Sequence, residues 1–224
     1  MTHHEDERTR LHGELLRMGG MAAAQLEAAL DVVGRRDDNA ARRVIENDAA
    51  IDRLEQETSH DVMRLALGGP LARDLRGILA AIRIASDIER IGDYAANVAK
   101  RSLALNEMPP LPHARGLSTL GALALRQLRE VMLAYRDHDA AAAERVRESD
   151  AELDAEYTRL FRELLTYMME DPRSITGCTH LLFMAKNLER IGDHATNIAE
   201  NVLFLVTGED ALPPREKRDD TTPL

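Results

Sequence analysis

Four pairs of carboxylates stand four residues apart in this chain: Asp48 with Asp52, Glu89 with Asp93, Asp150 with Asp154, and Glu189 with Asp193. Residues i and i+4 share one face of a helix, so each pair sets two like charges side by side. Such a pair costs a helix about 0.2–0.5 kcal/mol. Compensation is uneven. Asp48, Asp52, Glu89 and Asp154 have no Lys or Arg three or four residues away, while Arg90, Arg147, Lys186 and Arg190 precede Asp93, Asp150, Glu189 and Asp193 by three. One isolated pair would be read as a solvated acidic face. Four pairs in matched positions point to carboxylates that face each other and are neutralised by a hard multivalent cation, since oxygen-only donors suit magnesium, calcium, manganese or iron. Asn97 and Asn197 continue the same spacing, as outer ligands or as hydrogen-bond partners of a neighbouring helix.

Other chemistry is scarce. A di-iron oxidase of the ferritin type needs two Glu-x-x-His motifs, and the chain has one, Glu57 to His60. His194 follows Asp193, but the matching residue in the first half is Tyr94, so His194 reads as a surface residue or an outer neighbour of the carboxylates. No phosphate-binding loop, dinucleotide fingerprint or nucleophile elbow occurs, and Ser86, Ser102, Ser118 and Cys178 have no base partner at a recognisable spacing. The sequence therefore predicts no enzyme. Met168 and Met169, with Leu164 and Leu165, read as helix core.

The carboxylates need long helices to carry them, and the composition supplies these. Aromatics are 3% of the 224 residues, Trp is absent, and Gly and Pro punctuate the chain sparsely. Apolar residues recur at three and four, as in Leu11, Leu15, Met18, Ala22, Leu26 and Ala29, or Ile45, Ile51, Leu54, Val62 and Leu65. The pattern predicts an all-α fold of six helices over 8–35, 38–67, 71–106, 115–136, 139–170 and 174–207. "RRDD" at 35–38 and "RDHD" at 136–139 read as tight turns with an Asp to cap the next helix.

The chain is also internally repeated. "LAAIRIASDIERIGD" (79–93) aligns with "THLLFMAKNLERIGD" (179–193), and "NDAAID" (47–52) with "SDAELD" (149–154). Two tandem, similar three-helix bundles follow, over 8–106 and 115–207. A Pro-rich linker at 107–114 joins them, and a flexible polar tail occupies 208–224. Gly92 and Gly192 interrupt helices at a cost of about 1 kcal/mol each, so a close approach by a neighbouring helix, or by a ligand, is expected there.

The formal net charge of −10 disfavours nucleic acid and anionic lipid as direct partners. A lone cysteine, a polar N-terminus and no long apolar run predict a cytoplasmic protein.

The doubled "ERIGDxAxN" phrase (Glu89 to Asn97, Glu189 to Asn197), "MGGM" at 18–21, "RVIENDAAID" at 43–52, "PLARDLR" at 70–76 and "LLTYMMEDPR" at 164–173 resemble the PhoU family over most of the chain. The resemblance implies a cytoplasmic protein of two three-helix bundles that restrains the phosphate-starvation response without catalysing a reaction. It implies a homodimer whose partners are the ATPase subunit PstB of the phosphate ABC transporter and the sensor histidine kinase PhoR, with membrane contact only through them. It also implies a multinuclear metal, iron, zinc, magnesium or manganese, on the eight carboxylates named above. Two departures stand out: "GGP" at 68–70, and Lys100-Arg101 where the second half has Glu200-Asn201. A paralogue serving another phosphate transporter and a carboxylate-rich metal-binding protein are the alternatives.

Overall fold

The computed structural model describes residues 3–67, 72–112 and 114–208. Six long helices appear in chain order: α1 (His3–Arg35), α2 (Asp38–Leu67), α3 (Ala72–Asn106), α4 (Ala114–Asp137), α5 (Ala140–Glu170) and α6 (Ile175–Thr207). The described residues contain no strand. The expected helices are all present. α1 starts five residues earlier than the pattern predicts, because its first turns are tied to the end of α2: Arg64 reaches Glu7 at 3.9 Å, and Arg10 pairs with Asp61. A short 3-10 turn, Pro172–Ser174, precedes α6, started by Pro172 and capped by Asp171. The "GGP" segment and the tail from 209 lie outside the described residues.

Both predicted Asp caps are present. Asp37 Oδ1 accepts from the Ala40 amide at 2.9 Å and Asp139 Oδ1 from the Ala142 amide at 2.9 Å. The preceding residues Arg36 and His138 take positive φ, at 55° and 51°, so the two turns are built alike. Arg36 also donates to the carbonyls of Leu105, Asn106 and Met108, closing the C-terminus of α3 and pinning the start of the linker.

Within the first half, α1, α2 and α3 all touch; within the second, α4, α5 and α6 do. The halves meet through equivalent helices, α1 against α4 and α3 against α6, while α2 and α5 lie on the outer flanks. One apolar cluster draws on all six helices, with Leu15, Met18, Ile51 and Ile88 fully buried in one half and Leu120, Leu128, Leu153 and Leu160 in the other. The predicted α1 stripe is buried throughout, whereas Ile45 is only partly covered. At the end of α5 the expectation fails in part. Leu164 is core and Met168 packs on it, but Met169 is 76% exposed and Leu165 is exposed too, because these two, four residues apart, share the face of the helix turned away from the core. None of the described helices is long and apolar enough to cross a membrane.

Candidate metal-binding face

In the first half the two carboxylate stripes face each other across α2 and α3. Asp48, Asp52 and Asp93 each offer an oxygen within 4.8 Å of the others, and among the described residues this is the one such trio. Oxygens bound to one ion at about 2.0–2.6 Å lie no more than about 5 Å apart, so the spacing suits a shared cation. Glu89 stands beside them on the rim, partly buried, with Arg90 bridging Glu89 at 3.5 Å and Asp93 at 3.3 Å.

The electrostatics agree with this crowding. Asp48 is pushed above the ordinary carboxylate range first by burial and then by the charges of Asp93 and Asp52, against a lowering hydrogen bond from Gln25. Glu89 is raised by burial, then by Asp93, and further by Asp52 and Glu55, with Arg90 opposing. A cation placed among these groups would relieve the repulsion.

Gln25 of α1 holds the geometry. Its Nε2 donates to Asp48 Oδ1 at 2.7 Å and to the Gly92 carbonyl at 3.1 Å, joining all three helices of the half at the acidic face. Gly92 explains itself at the same place. A Cβ there would stand 3.0 Å from Ile51 Cδ1 and 3.3 Å from Asp48 Oδ1, so the missing side chain makes room for the carboxylate and its neighbour. What approaches is side chains of α2, not the helix backbone.

The second half repeats the positions in a drier setting. Asp150, Asp154 and Glu189 are 1%, 2% and 4% exposed, and Asp193 is partly buried. Glu189 is raised by burial, with the hydrogen bond from Lys186 opposing, and Asp193 and Asp154 add their charges, so these carboxylates are neighbours. Lys186 Nζ lies 2.8 Å from Glu189 Oε1 and 5.1 Å from the Tyr157 ring centroid. The first half has Ser86 and Glu55 at those positions. Arg147, also buried, ion-pairs Glu144 and Glu200. The second face thus carries buried and half-buried cations of its own, where the first is flanked by exposed Arg90 and exposed Lys100, whose charge opposes the rise of Asp48.

Gln127 of α4 occupies the position matching Gln25, fully buried, and donates to Ser149 Oγ at 3.2 Å. A Cβ on Gly192 would meet its Oε1 at 2.9 Å and both Leu153 methyls at 3.1 Å. Sequence reasoning missed Gln25, Gln127 and Glu55. The two glutamines were legible as a matched pair once α1 is aligned with α4, and Glu55 as the acid three residues after Asp52.

The two asparagines part company. Asn197 Nδ2 donates across to Asp87 Oδ1 of α3 at 3.3 Å, while Asn97 stays local, accepting from Lys100 at 3.4 Å. His194 is partly buried. Its Nδ1 lies 2.7 Å from Asp87 Oδ1, which makes it a tie between the two halves rather than a neighbour of the carboxylates.

The PhoU domain model matches the chain twice, over residues 15–102 and 117–202. The chain is 68% identical to the phosphate-specific transport system accessory protein PhoU homolog of Xylella fastidiosa strain 9a5c, over 98% of this chain and 93% of that one. It is 45% identical to the like-named homolog of Rhizobium meliloti, over 100% and 95%. Among solved structures it is similar to PhoU from Pseudomonas aeruginosa, with a TM-score of 0.88, 36% identity and coverage of 92% and 99% of the two chains. It is also similar to the phosphate transport system regulatory protein PhoU from Streptococcus pneumoniae, at 0.87, 30%, 94% and 100%. With the doubled domain, the six-helix architecture and these relatives in agreement, the chain belongs to the PhoU family.

Proposed function

We propose that this chain is an accessory protein of phosphate-specific transport that restrains the phosphate-starvation response when phosphate is plentiful. The observation that supports the reading is the 68% identity, over 98% of the chain, to a relative named as a phosphate-specific transport system accessory protein. The mechanism is that of an adaptor. It binds the transporter's ATPase subunit and the sensor kinase, PstB and PhoR, and transmits transporter state by binding one conformation of a partner better than another, without a reaction of its own. It works in the cytoplasm, as a homodimer, and reaches the membrane through those partners.

The acidic faces hold metal in this reading, iron, zinc, magnesium or manganese. Asp48, Asp52, Glu89 and Asp93 form the first centre; Asp150, Asp154, Glu189 and Asp193 form the second. A bound cation supplies positive charge that fixes α2 against α3 and α5 against α6. The first centre is the stronger candidate, because oxygens of Asp48, Asp52 and Asp93 already converge, with Arg90 pairing Glu89 and Asp93 at the rim.

The test is the output of a phosphate-starvation promoter in phosphate-rich medium, in cells with and without the chain. High output on deletion, returned to low by the wild-type chain, supports the regulator; unchanged output rejects it. In the same purified chain, Asp48→Asn with Asp93→Asn is expected to lower bound metal in elemental analysis. Equal metal content in both would remove the first centre. Uptake is also expected to weaken on acidification, since protons compete for carboxylates whose affinity for them is already raised.

A further inference from the structure

Beyond the C-terminal end of the α3 acidic stripe, an open cleft of about 430 Å³ lies between α3 and α6, lined by Asn97, Lys100, Arg101, Ala104, His180 and Asn187. In a chain of net charge −10 this lining carries two cations, an imidazole and two amides, and no carboxylate.

Neither cation is spent on an ion pair among the described residues. Lys100 Nζ lies 3.4 Å from Asn97 Oδ1. Arg101 sets its guanidinium over the Phe183 ring, 4.0 Å from the centroid, with Nη1 3.5 Å from His180 Nδ1. Stacking fixes the plane of the guanidinium and leaves part of its five-donor edge open to the cleft. Phe183 is itself 51% exposed, so this pairing maintains a positive surface instead of burying it.

The duplication supplies an internal comparison. Glu200 and Asn201 occupy the positions matching Lys100 and Arg101, and Ala80 the position matching His180. The shared fold therefore does not require cations here; Arg101 covers Phe183, but packing gives no reason for Lys100 to stand beside it at this end of the α3–α6 contact.

We propose that the α3–α6 cleft binds a compact tetrahedral oxyanion of the phosphate class, with Lys100 and Arg101 as charge partners and His180, Asn97 and Asn187 as hydrogen-bond donors. Two fixed cations match the charge of a dianion, and a planar guanidinium can present two parallel N–H groups to it. Arg101 lies over the Phe183 ring beside the cleft, so that face is not open to a nucleobase. The ion is either free or the terminal phosphoryl group of a small molecule.

Isothermal titration calorimetry on the full chain tests this, with inorganic phosphate, sulfate and methyl phosphate added at constant ionic strength. Saturable binding at one site per chain is expected. Lys100→Gln and Arg101→Gln are each expected to weaken it by roughly tenfold or more. Arg101→Gln also removes the stack on Phe183, so exposed Lys100 provides the variant that leaves packing intact. Phosphate binding without methyl phosphate binding identifies the free ion; binding of both identifies a phosphoryl terminus. Non-saturable heats, or equal affinity in the wild type and Lys100→Gln, overturn the proposal. Either result leaves the promoter test of the regulatory reading unaffected.

Discussion

At the level of single residues, the duplication keeps eight carboxylates and changes what surrounds them. Ser86 and Glu55 of the first half become Lys186 and Tyr157 of the second. The consequence is local and measurable. Glu189 is 4% exposed, and its counter-ion Lys186 stands 2.8 Å away. Lys186→Ser is expected to destabilise the metal-free protein by about 1–3 kcal/mol, the usual cost of leaving a buried polar group without its partner. Urea denaturation measures the loss, and adding Glu189→Gln to the variant should recover most of it. No loss in Lys186→Ser would mean that the ion pair carries little of the stability of the second half.

At the level of helices, the sequence and the structure agree where periodicity acts and diverge where a single neighbour decides. The six helices follow from apolar spacing and from Asp37 and Asp139, whose side chains close the first turns of α2 and α5. The facing of Asp48 and Asp52 toward Asp93 follows too, because four-residue spacing fixes a face and the antiparallel hairpin brings the faces together. Gln25 was legible only through its match with Gln127; taken singly, a glutamine on an apolar stripe gives no hint that α1 will present it to a carboxylate on α2. Nor was the role of His194, whose partner Asp87 lies more than a hundred residues away.

The glycines at the helix crossings show the same limit. A Cβ on Gly121 of α4 would collide with Leu30 of α1, whereas one on Gly20 would meet nothing within 4 Å. Gly121→Ala is expected to destabilise by about 1–3 kcal/mol through overpacking. Gly20→Ala should stabilise by about 0.5–1 kcal/mol, through helix propensity alone. Thermal melts of the two variants give shifts of opposite sign if the crossing is as tight as it stands; a Gly121→Ala protein as stable as the wild type would show that Leu30 can yield.

At the level of the whole molecule, the contact between halves has approximate two-fold symmetry. Gly121 seats Leu30, and Gly19 seats Met132, which are the same contact seen from the two halves. Along the α3–α6 contact, Asp87 stands opposite His194 and Arg101 opposite His180, fourteen residues on in one helix and fourteen back in the other, so the two helices run antiparallel. The Asp87–His194 contact, both side chains largely buried, ties the halves together. A double-mutant cycle on Asp87→Asn and His194→Gln is expected to give a coupling of about 0.5–3 kcal/mol, as for other residues in direct contact. Additive losses would mean that the Asp87–His194 contact contributes nothing to joining the halves.

An assembly of two identical chains about a two-fold axis must carry the same residues on both sides of that axis, and so at both ends of an antiparallel contact that crosses it. Here the halves are covalently fused, and that constraint is gone. A mutation can alter one end and spare the other, which is how Lys100 and Arg101 stand at one end while Glu200 and Asn201 stand at the other. Fusion has given the molecule a polarity that its fold, taken alone, would forbid.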